Sequence, residues 1–162
     1  MFTFMSMPPF STLDGQVAEI VARYPVSKRS AAMPVLHLIQ ETYGFISGES
    51  IEWAANKLEL QPINLLELVT FYPMYRQKPV GKYHIKLCRT LSCALNGGEA
   101  LCEHVLKKLN VKLNETTPDG RFTVSHVECI ASCGTAPVAQ VNEDFHEGLT
   151  PQKMDELIAK SV

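Results

Sequence analysis

The chain has 162 residues, enough for one domain or two small ones with an apolar core. With 46% apolar and 20% charged residues, its composition is that of a globular protein rather than a disordered one. A formal net charge of −2 argues against a nucleic-acid-binding protein, and no apolar run reaches the ~20 residues that a membrane-spanning helix needs.

The first half of the chain predicts four short helices. Apolar residues at helical spacing, cap residues, Gly exits and Pro stops give their approximate bounds: Leu13 to Tyr24, Ser30 to Gly44, Gly48 to Leu58, and Pro62 to Tyr72. Short helices with brief connections are typical of a small bundle, which we assign to residues 1–78. The aromatic run Phe71 to Tyr75 at its end is expected either to pack in the core or to contact another subunit.

The pattern changes after Pro79-Val80-Gly81, which we interpret as a hinge into a second domain, residues 79–162. The predicted elements in chain order are a strand Lys82 to Leu87, a helix Asn96 to Asn110, strands Phe122 to Glu128, Pro137 to Val141 and Phe145 to Glu147, and a final helix capped by Thr150. The order β-α-β-β-β-α predicts a thioredoxin-like layout, with one sheet covered by helices. The whole chain is therefore expected to be an α+β protein.

Four of the five cysteines form two pairs, each at the end of a predicted strand. Cys88 and Cys93 are spaced Cys-x₄-Cys, whereas Cys129 and Cys133 are spaced Cys-x₃-Cys. Clustered thiolates favour zinc, copper(I) or an iron–sulfur cluster. Zinc knuckles most often use the tighter Cys-x₂-Cys, so the wider spacings favour a [2Fe–2S] cluster whose irons each take two cysteines. A zinc site, a disulfide or redox pair, and ordinary buried cysteines are the alternatives.

Other features of the sequence give weaker indications of function. Cys102 lies on the apolar face of a predicted helix and is expected in the core. With no Cys-x-x-Cys and no base beside a thiolate, we predict no catalytic residue.

Residues 1–10 lack the features of a signal peptide, so a reducing cytoplasm is expected. The hydroxyls expected to donate hydrogen bonds toward sulfur are those of Thr90, Ser92, Ser132 and Thr135.

The cysteine pairs and several other segments, spread over nearly the whole chain, resemble one known family. These segments are Pro34 to Gln40, Gly44 to Ser47, Val69 to Tyr72, Pro79 to Tyr83, Val127 to Cys133, and Ala136-Pro137. In them the chain resembles the small [2Fe–2S] subunit of bacterial NADH:quinone oxidoreductase, respiratory complex I. The resemblance implies a helical bundle followed by a thioredoxin-like domain. It also implies that Cys88, Cys93, Cys129 and Cys133 hold the cluster.

The same resemblance implies a partner and a role. The partner is a larger flavoprotein subunit that binds NADH, FMN and a [4Fe–4S] cluster, and residues 1–78 are expected to contact it in a heterodimer within a larger complex. The chain would accept one electron from reduced FMN, without an NADH or flavin site of its own. No nucleic acid and no direct membrane insertion are expected. The complex would place the chain on the cytoplasmic side of the inner membrane, as a peripheral subunit.

Two alternative functions follow from the same residues. The same module serves in NAD(P)-linked hydrogenases and formate dehydrogenases, so an equivalent diaphorase subunit is the alternative within electron transfer. A structural zinc-binding interaction module is the alternative of another class. Leu91-Ser92 and Gly134 differ from many members of the family, which leaves the shape of the cysteine loops and the reduction potential open.

Overall fold

The computed structural model describes residues 8–161, and the chain divides into two compact units between Pro79 and Val80. The division falls within Pro79-Val80-Gly81, the segment interpreted as a hinge from sequence. The prediction that no signal peptide is present falls mostly on residues 1–7, outside the described part of the chain. Among the described residues, no helix has the length and apolar character needed to cross a membrane.

The first unit is helical. Its elements are a 3₁₀ turn Phe10–Leu13, α1 Asp14–Ala22, a 3₁₀ turn Lys28–Ala31, α2 Ala32–Tyr43, α3 Gly48–Leu58 and α4 Pro62–Phe71. The local chemistry explains the ends. Helix α2 stops at Gly44, whose φ of 80° lies in the left-handed region that glycine adopts without strain. Helix α3 begins after Ser47, whose side chain accepts a hydrogen bond from the Ser50 N–H, and α4 begins with Pro62.

The core of this unit is built from the facing sides of the helices. Buried apolar residues come from α2, α3 and α4, among them Val35, Leu36, Ile39, Ala54, Leu58 and Leu65. The aromatic run after α4 divides between core and surface. Tyr75 is buried, its hydroxyl donates to the Met33 carbonyl at 3.2 Å, and burial raises its pKa to about 12. Phe71 is 76% exposed, so the core placement holds for Tyr75 and is wrong for Phe71.

The second unit combines a sheet with helices. Its elements are β1 Tyr83–Cys88, α5 Leu91–Leu95, α6 Gly98–Leu109, β2 Phe122–Val127, a 3₁₀ turn Cys133–Thr135, β3 Ala139–Val141, β4 Asp144–His146 and α7 Pro151–Lys160. The strand order is β2-β1-β3-β4, with β1 and β2 parallel and the other neighbours antiparallel. A parallel pair needs a long crossover, which α5 and α6 supply.

One apolar cluster holds the sheet and the helices α6 and α7 together. It includes Ile85, Val105, Val124 and Met154, all nearly inaccessible to solvent. Cys102 belongs to the same cluster and is 4% exposed, so its predicted core position is confirmed.

The structure differs from the sequence-based prediction between Cys88 and Gly98. Helix α5 was not predicted, and α6 begins at Gly98 rather than at Asn96, whose side chain donates to the Ser92 carbonyl at 2.8 Å. The residue before α6 is Gly97, with φ of 87°. Because glycine reaches that conformation without strain, the chain can turn sharply from α5 into α6 there.

Gly81 provides a test of the packing beside β1. A Cβ at Gly81 would lie 2.8 Å from the Arg121 carbonyl carbon and oxygen, which belong to backbone and cannot swing away. We expect Gly81→Ala to lower the free energy of unfolding by about 1–3 kcal/mol, the usual cost of overpacking. Urea unfolding followed by circular dichroism measures it.

Gly15→Ala is the matched control, because Gly15 lies in α1 and a Cβ there would have no neighbour within 4 Å. This change should stabilise by about 0.5–1 kcal/mol, since alanine favours helix. Equal unfolding free energies for the two variants would contradict the close approach at Gly81.

Candidate metal centre

The parallel pairing of β1 with β2 places the two cysteine loops side by side. Residue pairs along the two strands run in register from Tyr83 with Phe122 to Cys88 with Val127, so both strands end at the same edge of the sheet. The Arg89 N–H continues this pairing by donating to the Val127 carbonyl at 3.1 Å. The loops that carry the remaining cysteines therefore start next to each other.

The two cysteines of the first loop are buried, although Leu91 and Leu95 on either side of Cys93 are exposed. Cys88 is the last residue of β1 and is 4% exposed, and Cys93, in α5, is 2% exposed. Both pack with buried Val138 in a small cluster of their own. A Cβ at Gly98 would lie 2.8 Å from the Cys93 carbonyl oxygen and 3.3 Å from that of Cys88. The start of α6 thus packs directly against the backbone of this loop, and only glycine permits this close approach.

The second loop is exposed. Cys129 and Cys133 are both accessible to solvent, and Cys133 begins a 3₁₀ turn. Ala131 has a φ of 60°, in the left-handed region, and its N–H donates to the Cys129 sulfur at 3.4 Å. This backbone turn folds the loop around the Cys129 side chain.

Hydrogen bonds join the two loops. The Ser92 hydroxyl donates to the Cys133 carbonyl at 2.8 Å, and the Cys88 sulfur lies 3.5 Å from the Glu128 carbonyl oxygen, to which it donates only as a neutral thiol. An ion pair of Arg89 with Glu128, 2.6 Å apart, crosses between the loops on the surface. The two pairs of cysteines are thus carried by segments that contact each other.

The environment favours thiolate at one position of the first loop. Burial raises the pKa of the Cys88 thiol, but hydrogen bonds from Thr90, from the Cys93 thiol and from the Ile130 backbone together outweigh it, so this pKa is lowered. Burial raises the pKa of Cys93, and its hydrogen bond to Cys88 and the nearby charges of Cys88 and Cys133 add to the rise. Cys93 therefore interacts with a cysteine of each loop.

The cysteine sulfurs of the two loops are ligands of the kind that soft metal ions and iron–sulfur clusters prefer. Within residues 8–161, no three His, Cys, Asp or Glu side chains are gathered as ligands of a metal ion. Cys88 and Cys93 do pack together in the cluster around Val138, and Cys133 lies close enough to Cys93 to raise the pKa of that thiol. Sulfur atoms that receive hydrogen bonds from backbone and hydroxyl groups suit thiolate ligation of an iron–sulfur cluster.

Of the four hydroxyls expected to point toward sulfur, one does so. The Thr90 hydroxyl lies 3.2 Å from the Cys88 sulfur. The other three bind oxygen instead: Ser92 bonds the Cys133 carbonyl, and Ser132 and Thr135 bond the carboxylate of Glu147. The sequence analysis did not assign Glu147 to the site, because Glu147 is distant in sequence from Cys133. The hydroxyls on either side of Cys133 were the only sequence feature that pointed to a polar partner there.

Comparison with known proteins gives one family. The sequence matches the family described as thioredoxin-like [2Fe-2S] ferredoxin over residues 17–161. The E subunit of the NADH-quinone oxidoreductase of Rickettsia felis is 44% identical over 142 residues, covering 86% of this chain and 85% of that protein. An E subunit of the same enzyme from Rhizobium meliloti is 40% identical over 147 residues, covering 91% of this chain and 87% of that one.

A solved structure is similar in fold. A chain of the NAD⁺-reducing [NiFe]-hydrogenase in its air-oxidized state matches 80% of this chain with a TM-score of 0.69. The identity is 22%, and the match covers 22% of that chain, so the likeness shows the fold alone. The predicted α+β, thioredoxin-like fold class is confirmed by the family match and by the helices and mixed four-stranded sheet. From the match over residues 17–161 and the identity to these relatives, the chain belongs to the thioredoxin-like [2Fe-2S] ferredoxin family.

Proposed function

We propose that the chain is the one-electron carrier subunit of an NADH:quinone oxidoreductase, and that Cys88, Cys93, Cys129 and Cys133 hold its [2Fe–2S] cluster. One observation carries the proposal: two cysteine pairs lie on adjacent loops at one edge of a sheet, joined by a hydrogen bond from Ser92 to the Cys133 carbonyl and by the ion pair of Arg89 with Glu128. The relatives from Rickettsia felis and Rhizobium meliloti, both named as subunits of that enzyme, support it over most of the chain.

A bound [2Fe–2S] cluster supplies one-electron chemistry, and the surrounding residues tune how readily it is reduced. Cys88 and Cys93 present their sulfurs from a buried, dry side, whereas Cys129 and Cys133 present theirs from the solvent side. The Thr90 hydroxyl and the Ala131 N–H lie within hydrogen-bond distance of sulfur, an arrangement that stabilises charge on the ligands. The exposed side of the loops is the side on which a redox partner can approach.

The partner in this proposal is a flavoprotein subunit that binds NADH, FMN and a [4Fe–4S] cluster and forms a heterodimer with this chain. Residues 79–162 form the cluster domain, and residues 1–78 contact the flavoprotein. Each unit exposes apolar side chains suited to an interface: Ile63, Leu66 and Phe71 in the first unit, and Leu91 and Leu95, which flank Cys93, in the second. The assembled complex would hold the chain on the cytoplasmic side of the inner membrane, as a peripheral subunit.

The alternative functions receive less support. A diaphorase subunit of a hydrogenase or formate dehydrogenase needs the same cluster, but the likeness to the hydrogenase chain concerns fold alone. A structural zinc module would use the same four cysteines without electron transfer. Metal identity separates the zinc module from the other two, and the partner separates the two electron carriers.

Substitution of the ligands tests the assignment of the four cysteines. Replacing any one of Cys88, Cys93, Cys129 or Cys133 by alanine removes one of the four ligands that the two irons require. We expect each variant to lose the visible absorbance and the iron of the wild-type chain, measured by absorption spectroscopy and metal analysis of anaerobically purified protein.

Cys102→Ala is the matched control for these variants. Burial raises the pKa of Cys102, so this residue stays a neutral thiol in the core, and its loss should leave the spectrum unchanged at a cost of ~1–2 kcal/mol in stability. Full iron content in any of the four ligand variants, or a colourless Cys102→Ala, would require a different ligand set.

The source of electrons is tested with the purified chain. The proposal places the nucleotide and flavin sites on the partner, so the chain alone should not oxidise NADH, and NADH should leave its visible spectrum unchanged. Adding the flavoprotein subunit with FMN should let NADH bleach the spectrum. Reduction of the isolated chain by NADH would contradict the proposed division of labour between the two subunits.

A further inference from the structure

The carboxylate of Glu147 binds both hydroxyls that flank Cys133. The Ser132 hydroxyl donates to Glu147 Oε1, and the Thr135 hydroxyl donates to the same oxygen at 2.8 Å. The two hydroxyls also lie 2.8 Å from each other. Hydrogen bonds to an ionised carboxylate are stronger than those between neutral groups, so Glu147 gathers the residues on both sides of Cys133 into one network.

Glu147 is itself held in place by backbone. It follows β4, and the next residue, Gly148, donates its N–H to the Thr135 carbonyl at 2.7 Å. Leu149 donates its N–H to the Pro137 carbonyl at 3.0 Å, so the segment after β4 runs along the end of the cysteine loop. This pairing delivers the carboxylate to the loop from a fixed position.

The two cysteine loops differ in what supports them. Cys88 and Cys93 are fixed by a strand, a helix and the apolar cluster around Val138. Cys133 is exposed and lies outside the sheet, and the Ser92 bond to its carbonyl is its tie to the first loop. Backbone hydrogen bonds and the packing of Ile130 against the Val138 cluster support other parts of the second loop, and Glu147 adds two side-chain hydrogen bonds beside Cys133.

We propose that Glu147 is a positioning residue for the metal centre: its carboxylate, bound to Ser132 and Thr135, fixes the turn that presents the Cys133 sulfur. Groups that orient metal ligands commonly account for 10–100-fold in metal affinity. The inference rests on the proposed function, since it concerns how the chain retains the cluster. It assigns Glu147 no contact with the metal and no part in electron transfer.

The test compares the rates at which a chelator bleaches the cluster in purified, iron-loaded chains. Glu147→Ala removes the acceptor oxygen and should accelerate bleaching by about tenfold or more. It should also change the visible circular dichroism of the cluster, which reports the geometry at the sulfurs. Glu147→Gln keeps an oxygen that can accept from both hydroxyls, so it should retain most of the wild-type resistance.

Two controls separate positioning from general effects. Glu156→Ala removes a carboxylate from an exposed site on α7 and should bleach at the wild-type rate. The cluster-free form of Glu147→Ala should still unfold in one urea transition with the wild-type slope, which shows that the variant keeps the fold. Equal rates for Glu147→Ala and Glu156→Ala would overturn the inference, as would a Glu147→Gln variant that bleaches as fast as Glu147→Ala.

A coupling experiment tests the route through the two hydroxyls. The double variant Ser132→Ala/Thr135→Val removes the same hydrogen bonds from the loop side and should bleach as fast as Glu147→Ala. Adding Glu147→Ala to it should then change nothing further, because residues that act through one network are not additive. Additive acceleration would show that Glu147 acts elsewhere, and would overturn the inference.

A Glu147→Ala variant that is recovered folded but without iron would support the inference. If Glu147→Ala is not recovered folded, the bleaching rates of the Ser132→Ala/Thr135→Val and Glu147→Gln variants test the inference instead. If the wild-type chain itself takes up no iron, the proposed function fails and this inference with it. If the wild type loads iron and the variants bleach at its rate, the inference alone fails.

Discussion

The parallel pairing of β1 with β2 is the constraint on which the candidate site depends. Because the two strands run side by side in one direction, their carboxyl ends meet, and the cysteines that follow each strand are carried to one edge of the sheet. An antiparallel arrangement of the same strands would send the two cysteine pairs to opposite edges. The crossover through α5 and α6 makes the parallel arrangement possible, and the close approach of Gly98 to both cysteine carbonyls seats that crossover against the first loop.

The candidate site has a buried side and an exposed side, and the asymmetry has functional meaning. Burial of Cys88 and Cys93 keeps water from one side, where the apolar neighbours Val138 and Ile130 lie. Cys129 and Cys133, by contrast, are exposed to solvent. A carrier of single electrons benefits from both features: a dry side lowers the local dielectric, and an open side lets a donor come near. The exposed loop contributes Ile130 to the buried side, and polar side chains bind the residues beside Cys133.

Much of the architecture was predictable because local chemistry marks it. Gly44 and Pro62 identify helix ends by mechanisms that need no tertiary contact, and both act at the expected places. Alternation of apolar and polar residues identified β1 and β2, since each strand has one face on the core. The two cysteine spacings then indicated soft-metal chemistry before any distance was known.

The rest could not be predicted because it depends on contacts between distant segments. Helix α5 has only five residues, and its leucines Leu91 and Leu95 face solvent. It therefore lacks the apolar stripe by which a helix is recognised in a sequence. The hydroxyls of Ser132 and Thr135 were expected to serve sulfur, but a carboxylate placed by the β4 segment competes for them more strongly. Which acceptor a hydroxyl meets is decided by the fold, and spacing alone does not reveal it.

The central claim is that two adjacent loops of this chain jointly hold a two-iron cluster. The most direct measurement is the content of iron, acid-labile sulfide and zinc per chain in protein purified without oxygen. The account predicts two irons and two sulfides per chain, with little zinc. One zinc per chain, or a colourless protein without iron after reconstitution with iron and sulfide, would contradict it.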